Sequence, residues 1–341
     1  MKGRNLAITV GVAVVAAVLG YLAGRTPAAS DNADSTKPSA PVALEERQYD
    51  MNVVVAHVPF WTESRVMWQK LGEGVRHLRM RYGGPHSTDA NEQITELEAT
   101  LARGCNGLVL APADASSIVP TIRKFLDADV PVITYLIDAP DAPRLTYITS
   151  ELEQAGRRIA ELAIAASARP GRVVISYAAA GNPEQEARAR GIEQAIKAAP
   201  GYDVLLRVED NYDEQRGEEV ITAALAQHED IVAIIGCNSR SAIGAIQALK
   251  SLDRSPGDVV VTGWDYDNDL IDLIEKGWIA GSVAQNSEFM TYLAYAILEG
   301  YQSGRIAAAR GTPSGAAVPP TQITVPVELI DKNTARHYTR P

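Results

Sequence analysis

The chain has 341 residues, 46% of them hydrophobic and only 6% aromatic, which leaves room for two domains with cores rich in Ala, Val, Ile and Leu. Its formal charge is −10, and because residues 1–29 carry Lys2, Arg4 and Arg25 and no acid, the remainder is more acidic still. A body of that charge argues against nucleic acid as a partner, since phosphate neutralisation needs clustered Lys and Arg.

Residues 1–29 read as an export signal or signal anchor. Lys2 and Arg4 precede an uncharged, mostly apolar run over residues 6–22, whose length lies between a cleavable apolar core and a membrane span of about 20 residues. Thr26 and Ala28 occupy the small-residue positions for cleavage after Ala28, whereas Arg25 closes the run as a stop-transfer flank would. The expected location is periplasmic or extracytoplasmic, with anchoring by an uncleaved segment as the alternative. No cysteine lies near residue 24 to carry a lipid. Residues 30–49 turn to Ser, Pro, Ala, Asp and Lys without periodicity and read as a disordered tether.

The folded part begins near Tyr49. MNVVVAHV reads as a buried strand, PFWTES as a loop, and SRVMWQKLGEGVRHLRMRYG as one helix capped by Thr62 or Ser64, with Val66, Trp68, Leu71, Val75 and Leu78 as its apolar stripe. QITELEATLARG follows as a helix closed by Gly104, then strand GLVL, helix IVPTIRKFLDA and strand VPVITYLID. Two strands joined through a helix lie parallel, because the crossover returns the chain to the sheet in the same direction. After a Pro-rich turn and a short strand the alternation resumes: helices are expected over 153–168, 185–198, 214–227, 241–252, 268–276 and 287–302. RVVISYA, DVLLRVED, IVAIIGCN, DVVVTGWD and IAGSVAQ are the strands between them, and QITVPVELI is a closing strand. The fold class is α/β, with two similar doubly wound parallel-sheet lobes. Ligands of open parallel sheets bind outside the carboxyl ends of the strands, which directs attention to the residues after each strand. Cys105 and Cys237 fall in separate repeats and read as buried thiols rather than a disulfide.

The phrases EQITELEATLARGCNGLVLAPAD, VPVITYLIDAPDAPRLTYI, AGRRIAELA, ARARGIEQAI, CNSRSAIGAIQAL, VVVTGWD, GSVAQ and VPVELIDKNT occur in that order across residues 50–335. Together they resemble the periplasmic binding proteins of the ribose-binding type, the sugar-binding components of ABC importers. The resemblance implies two lobes joined by three crossing segments, with ligand trapped between them. It divides the chain into a first lobe of residues 50–150 and 286–318 and a second of 151–285 and 319–335. Family contact positions fall on Trp68, six residues before Gly74, and on Arg188, three before Gly191. They fall also on Tyr212, Asn238, Asp265 and Gln285, with Phe60 and Trp61 as a second aromatic pair. One departure stands out: the acid usual two residues before Asp138 is Leu136, which is then expected to face the cleft, with Asp138 or Glu63 as a substitute acceptor.

Aromatic rings that stack on C–H faces, with donors and acceptors for hydroxyls, suit a small neutral polyhydroxylated ligand. Each position also has a plainer reading. Trp68 lies on a core stripe, Asn238 and Asp265 precede helices they could cap, and Arg188 has Glu184 one turn earlier. No phosphate loop, nucleophile elbow or HExxH motif is present, and the five histidines lack metal-ligand spacing, so neither catalysis nor a cofactor is expected, an enzyme being only the distant alternative. Asp265, Asp267 and Asp269 start like a calcium loop, but Leu270 replaces its glycine and Lys276 its bidentate Glu. The expected partners are a sugar or polyol and an ABC permease, or, for an anchored sensor, a signalling protein of the membrane.

Overall fold

The computed structural model describes residues 46–57, 59–180, 182–308 and 317–338, so the export-signal segment 1–29 and most of the tether lie outside the described residues. The first sheet is built from β1 (Arg47–Asn52), β2 (Leu78–Gly83), β3 (Gly107–Leu110), β4 (Val132–Tyr135), β5 (Thr146–Ser150) and β11 (Gln322–Val325). Its order is β11-β5-β4-β3-β1-β2, and every pairing is parallel. The second sheet comprises β6 (Arg172–Tyr177), β7 (Asp203–Glu209), β8 (Ile231–Gly236) and β9 (Val260–Thr262) in the order β7-β6-β8-β9, again parallel. β10 (Ser282–Ala284) and β12 (Glu328–Ile330) form an antiparallel pair.

Helices cover both faces of each sheet, as parallel strands buried on both sides require. Tyr49, Met51, Val109 and Ile133 point to one face, against Trp68 of α1 (Thr62–Gly72) and Met290 and Leu298 of α9 (Ser287–Gln302). Leu108, Leu110 and Val132 point to the other, against Leu97 of α2 (Ala90–Ala102) and Ile122 of α3 (Val119–Asp127). In the second lobe Val173, Ile175 and Ile235 meet Ile159 of α4 (Leu152–Ala166) and Ile192 of α5 (Pro183–Ala198). Val174 and Ile234 meet Ile221 of α6 (Glu214–Gln227), Ile246 of α7 (Ser239–Ser251) and Ile271 of α8 (Asn268–Glu275). The chain passes between the sheets after β5, after β10 and between β11 and β12, the three crossings that the family resemblance implies. No helix among the described residues is long and apolar enough to cross a membrane.

Three elements differ from the sequence reading. β1 lies earlier than MNVVVAHV, because residues 47–52 pair with β2 and residues 49–52 also with β3, and Val53 closes the pairing through its N–H to the Gly83 carbonyl at 3.1 Å. The single helix expected over 64–83 is a helix and a strand. Gly74 at φ +74° turns the chain after α1, and Leu78–Gly83 then alternates inward and outward residues at period two along the sheet edge. Neither Thr62 nor Ser64 caps α1, and the Ser64 hydroxyl instead lies 2.9 Å from that of Tyr135. Finally, QITVPVELI is two strands. Pro326 lacks an N–H and falls between β11, which joins the first sheet beside β5, and β12, so residues 322–325 do not belong with the second lobe.

Candidate functional site

α4 and α5 touch backbone to backbone at Gly156 and Gly191, where a Cβ would collide with the carbonyl oxygens of Arg188 and Glu153 respectively. This contact fixes Arg188, which is 4% exposed. Its guanidinium lies 4.2 Å over the Trp264 ring and donates to the Cys237 carbonyl at 2.6 Å. Glu184, one turn earlier, stands 3.5 Å away. Burial lifts the Glu184 carboxyl above its ordinary range, although Arg188 pulls it the other way. Nε of Arg188 is buried with no partner.

Asn238, at the end of β8, caps α7 by accepting from the Ser241 N–H at 2.9 Å, and its amide donates to Asp210 at 3.1 Å. Asp210 is fully buried and also accepts from the Ser176 hydroxyl at 2.8 Å, the Ser241 hydroxyl and the Tyr212 N–H at 3.0 Å. It therefore organises the ends of three strands. Tyr212 is 53% exposed at the tip of the next loop, with φ +58°. Asp265 follows β9 at φ +68°, held by its N–H to the Val283 carbonyl at 2.8 Å and its carbonyl to the Ser282 hydroxyl at 2.7 Å. Asp267 and Asp269 close on Arg240 at 2.8 and 3.2 Å, a surface ion-pair network. Gln285, on the second crossing, donates to the Ser150 hydroxyl of the first crossing at 3.1 Å. Its Oε1 is buried with no partner.

On the first lobe the expected residues divide. Phe60 and Trp61 meet edge to face at 4.9 Å just before α1, and Trp61 is nearly buried beside Tyr135 at 6.4 Å. Trp68 belongs to the core: it is fully buried between α1 and the sheet, and its indole N–H donates to the Arg81 carbonyl at 2.7 Å. The stripe reading of Trp68 prevails over the contact reading. Leu136, expected to face the cleft, is 2% exposed within the same cluster as Trp61. Asp138 is held in place by Thr134, the Ala139 N–H and Arg144, which donate to it at 2.7, 2.8 and 2.5 Å, the first two to one carboxylate oxygen and Arg144 to the other. Asp210, Trp264 and Tyr147 were not singled out from the sequence. Asp210 and Trp264 both sit just beyond a strand end, a signal that could have found them. Cys105 and Cys237 are free and buried, and burial pushes the Cys237 thiol up to about 12.

Two parallel-sheet α/β lobes joined by three crossings define the two-lobed fold of the type I periplasmic binding proteins. The chain belongs to the periplasmic binding protein domain family, whose match spans residues 53–306. It is 26% identical over 206 residues to the D-ribose/D-allose-binding protein of Pseudomonas aeruginosa, covering 58% of this chain and 63% of that one. It is 29% identical over 195 residues to the ribose import binding protein of Escherichia coli, covering 57% and 64%. The chain thus matches less than two thirds of the length of these relatives. An arabinose-binding protein from Geobacillus stearothermophilus shares the fold at a TM-score of 0.76 and 20% identity, over 86% of this chain and 100% of that one.

Proposed function

We propose that the protein binds a sugar or sugar-like molecule in the interlobe cleft and delivers it to an ABC importer. The supporting observation is that, among the several buried polar atoms without a hydrogen-bond partner, two belong to residues expected to contact ligand, the Arg188 Nε donor and the Gln285 Oε1 acceptor. A hydroxyl both donates and accepts, so a polyol satisfies both where a purely apolar ligand satisfies neither. The names of the relatives point the same way, as does the aromatic pair Phe60 and Trp61 at the first-lobe side. A thermal-shift screen of pentoses, hexoses and polyols tests the reading: a binder at a hundred times its Kd stabilises by about 2.7 kcal/mol. If no sugar raises the midpoint while amino acids or peptides do, the reading is wrong.

Asp265→Asn is the sharper probe. Asn tolerates the left-handed backbone of Asp265 as Asp does, so the fold persists while a charged acceptor is lost. Affinity for the ligand found in the screen should fall about ten- to a hundredfold by calorimetry, the worth of one charge-assisted hydrogen bond. Unchanged affinity reduces Asp265 to a backbone role. A second reading, a membrane-anchored sensor passing occupancy to a signalling partner, is favoured by the apolar run 6–22 ending at Arg25.

A further inference from the structure

Parallel strands covered on both faces are ordinarily apolar on both, and β1 departs from that on one face. Asp50 and Asn52 stand in register with Leu108 and Leu110 of β3, yet these two polar side chains are each only 5% exposed. Beside them opens a cavity of about 510 Å³, bounded by β1, the edge strand β2 and α2. None of Arg188, Asn238, Asp265 and Gln285 lines it, so it is separate from the interlobe site. Thr100 of α2 adds a third buried polar side chain. Arg81 of β2 and Arg103, just beyond α2, are exposed, and Glu96 of α2 is half-buried.

Hydrogen bonds set the floor of this cavity in place. Gln93 donates to the Asn52 amide oxygen at 2.9 Å, and the Asn52 amide donates to Glu96 at 3.2 Å. Gln48 donates to Asp50 at 3.0 Å, and Arg103 to the Thr100 hydroxyl at 3.0 Å. Among the described residues, no ion pair joins either arginine to either carboxylate. Burial lifts the Asp50 carboxyl above its ordinary range, although Gln48, Cys105, Arg81 and Arg103 pull it the other way.

Two positive and two negative groups thus share one cavity without closing on each other. A lone anion would suit the arginines but meet Asp50 and Glu96, and a lone cation would meet the reverse. A zwitterion suits both pairs, its carboxylate accepting from the guanidinium groups and its ammonium donating to the carboxylates. The volume falls within the range of about 300–1,000 Å³ that small-molecule sites occupy. We propose that this face of the first lobe binds a small zwitterion of the α-amino acid class, with its carboxylate at Arg81 and Arg103 and its ammonium group at Glu96 and Asp50. The site is additional to the interlobe cleft and does not depend on what the cleft holds.

Calorimetry on the whole protein tests it with the L-α-amino acids. Each is compared with its methyl ester, which keeps only the positive charge, and its N-acetyl form, which keeps only the negative one. At least one amino acid should bind about tenfold or more tightly than both one-charge forms, the scale of a charge-assisted contact. Arg81→Gln should weaken that amino acid about fivefold, the upper end for an exposed pair, and Asp50→Asn, at a buried position, about tenfold. Both variants should bind sugar as the native chain does. Absence of amino-acid binding, or a one-charge form that binds as tightly, overturns the inference and leaves the sugar reading standing. Amino-acid binding that survives both substitutions but is lost in Asp265→Asn belongs to the interlobe cleft, which overturns the inference and, if no sugar binds, the sugar reading as well.

Discussion

Leu136 shows how much a single residue can carry that its neighbours do not. It has φ +60°, a region that a branched side chain enters only when the surroundings force it. The surroundings do so: its N–H donates to the Ile148 carbonyl at 2.8 Å, its carbonyl accepts from the Tyr147 hydroxyl at 2.7 Å, and the next N–H reaches back to the Tyr135 carbonyl at 2.7 Å. Leu136→Ala and Leu136→Gly both empty a buried site, at about 2–5 kcal/mol. Elsewhere glycine is the worse of the two by roughly 0.5–1 kcal/mol. Here the left-handed backbone penalises any Cβ by roughly 1–2 kcal/mol, so the glycine variant should be the more stable, by about 1 kcal/mol in urea unfolding. The usual order, alanine above glycine, would show that the position is not strained. The substitution at Leu136 was legible in the sequence; its direction was not, because a strand-end residue points to cleft or core according to a backbone angle that no residue pattern records. Trp68 is the same lesson reversed: its helical spacing fitted the core stripe, and the stripe decided its place.

At the level of elements, the alternation of strands and helices was read almost to the residue where periodicity was unbroken, as in α6 and α9. It failed where one period ran into another. Leu71, Val75 and Leu78 continue a helical spacing, but the glycines at 72 and 74 end the helix, and Leu78, Met80 and Tyr82 restart at the period of a strand. Glycines of a second kind hold α4 and α5 together. Gly191 lies where a Cβ would strike the Glu153 carbonyl and the Arg157 N–H region of α4, backbone that cannot swing aside. Gly191→Ala should therefore cost about 1–3 kcal/mol of stability by overpacking. Arg188 is three residues away on α5, so the same displacement should move it off the Trp264 ring and weaken ligand binding as well. Chemical denaturation and calorimetry on one preparation check both. A variant of native stability and native affinity would mean that the two helices are free to separate there.

Across the whole molecule the lobes communicate through charge as well as through the crossings. Glu184, on α5 of the second lobe, acts on Tyr147 in β5 of the first: burial, with a contribution from that carboxylate, pushes the Tyr147 hydroxyl up to about 12. The Glu184 carboxyl is itself raised from 4.5 by burial, against the pull of Arg188. A raised acid binds its proton more readily in the folded chain than in the unfolded one, where water surrounds it. Proton uptake and folding are thus linked. Between 4.5 and the raised value the folded state holds more protons than the unfolded one, so the stability that Glu184 controls is lost as pH rises through that window. Glu184→Gln keeps the shape of the side chain and removes its charge, and should be more stable than the native chain in urea unfolding at pH 7 and constant ionic strength, by a margin that shrinks as the pH falls toward 4.5. A margin that stays the same or grows on acidification would assign the pH response to other carboxylates and leave Glu184 as a local partner of Arg188.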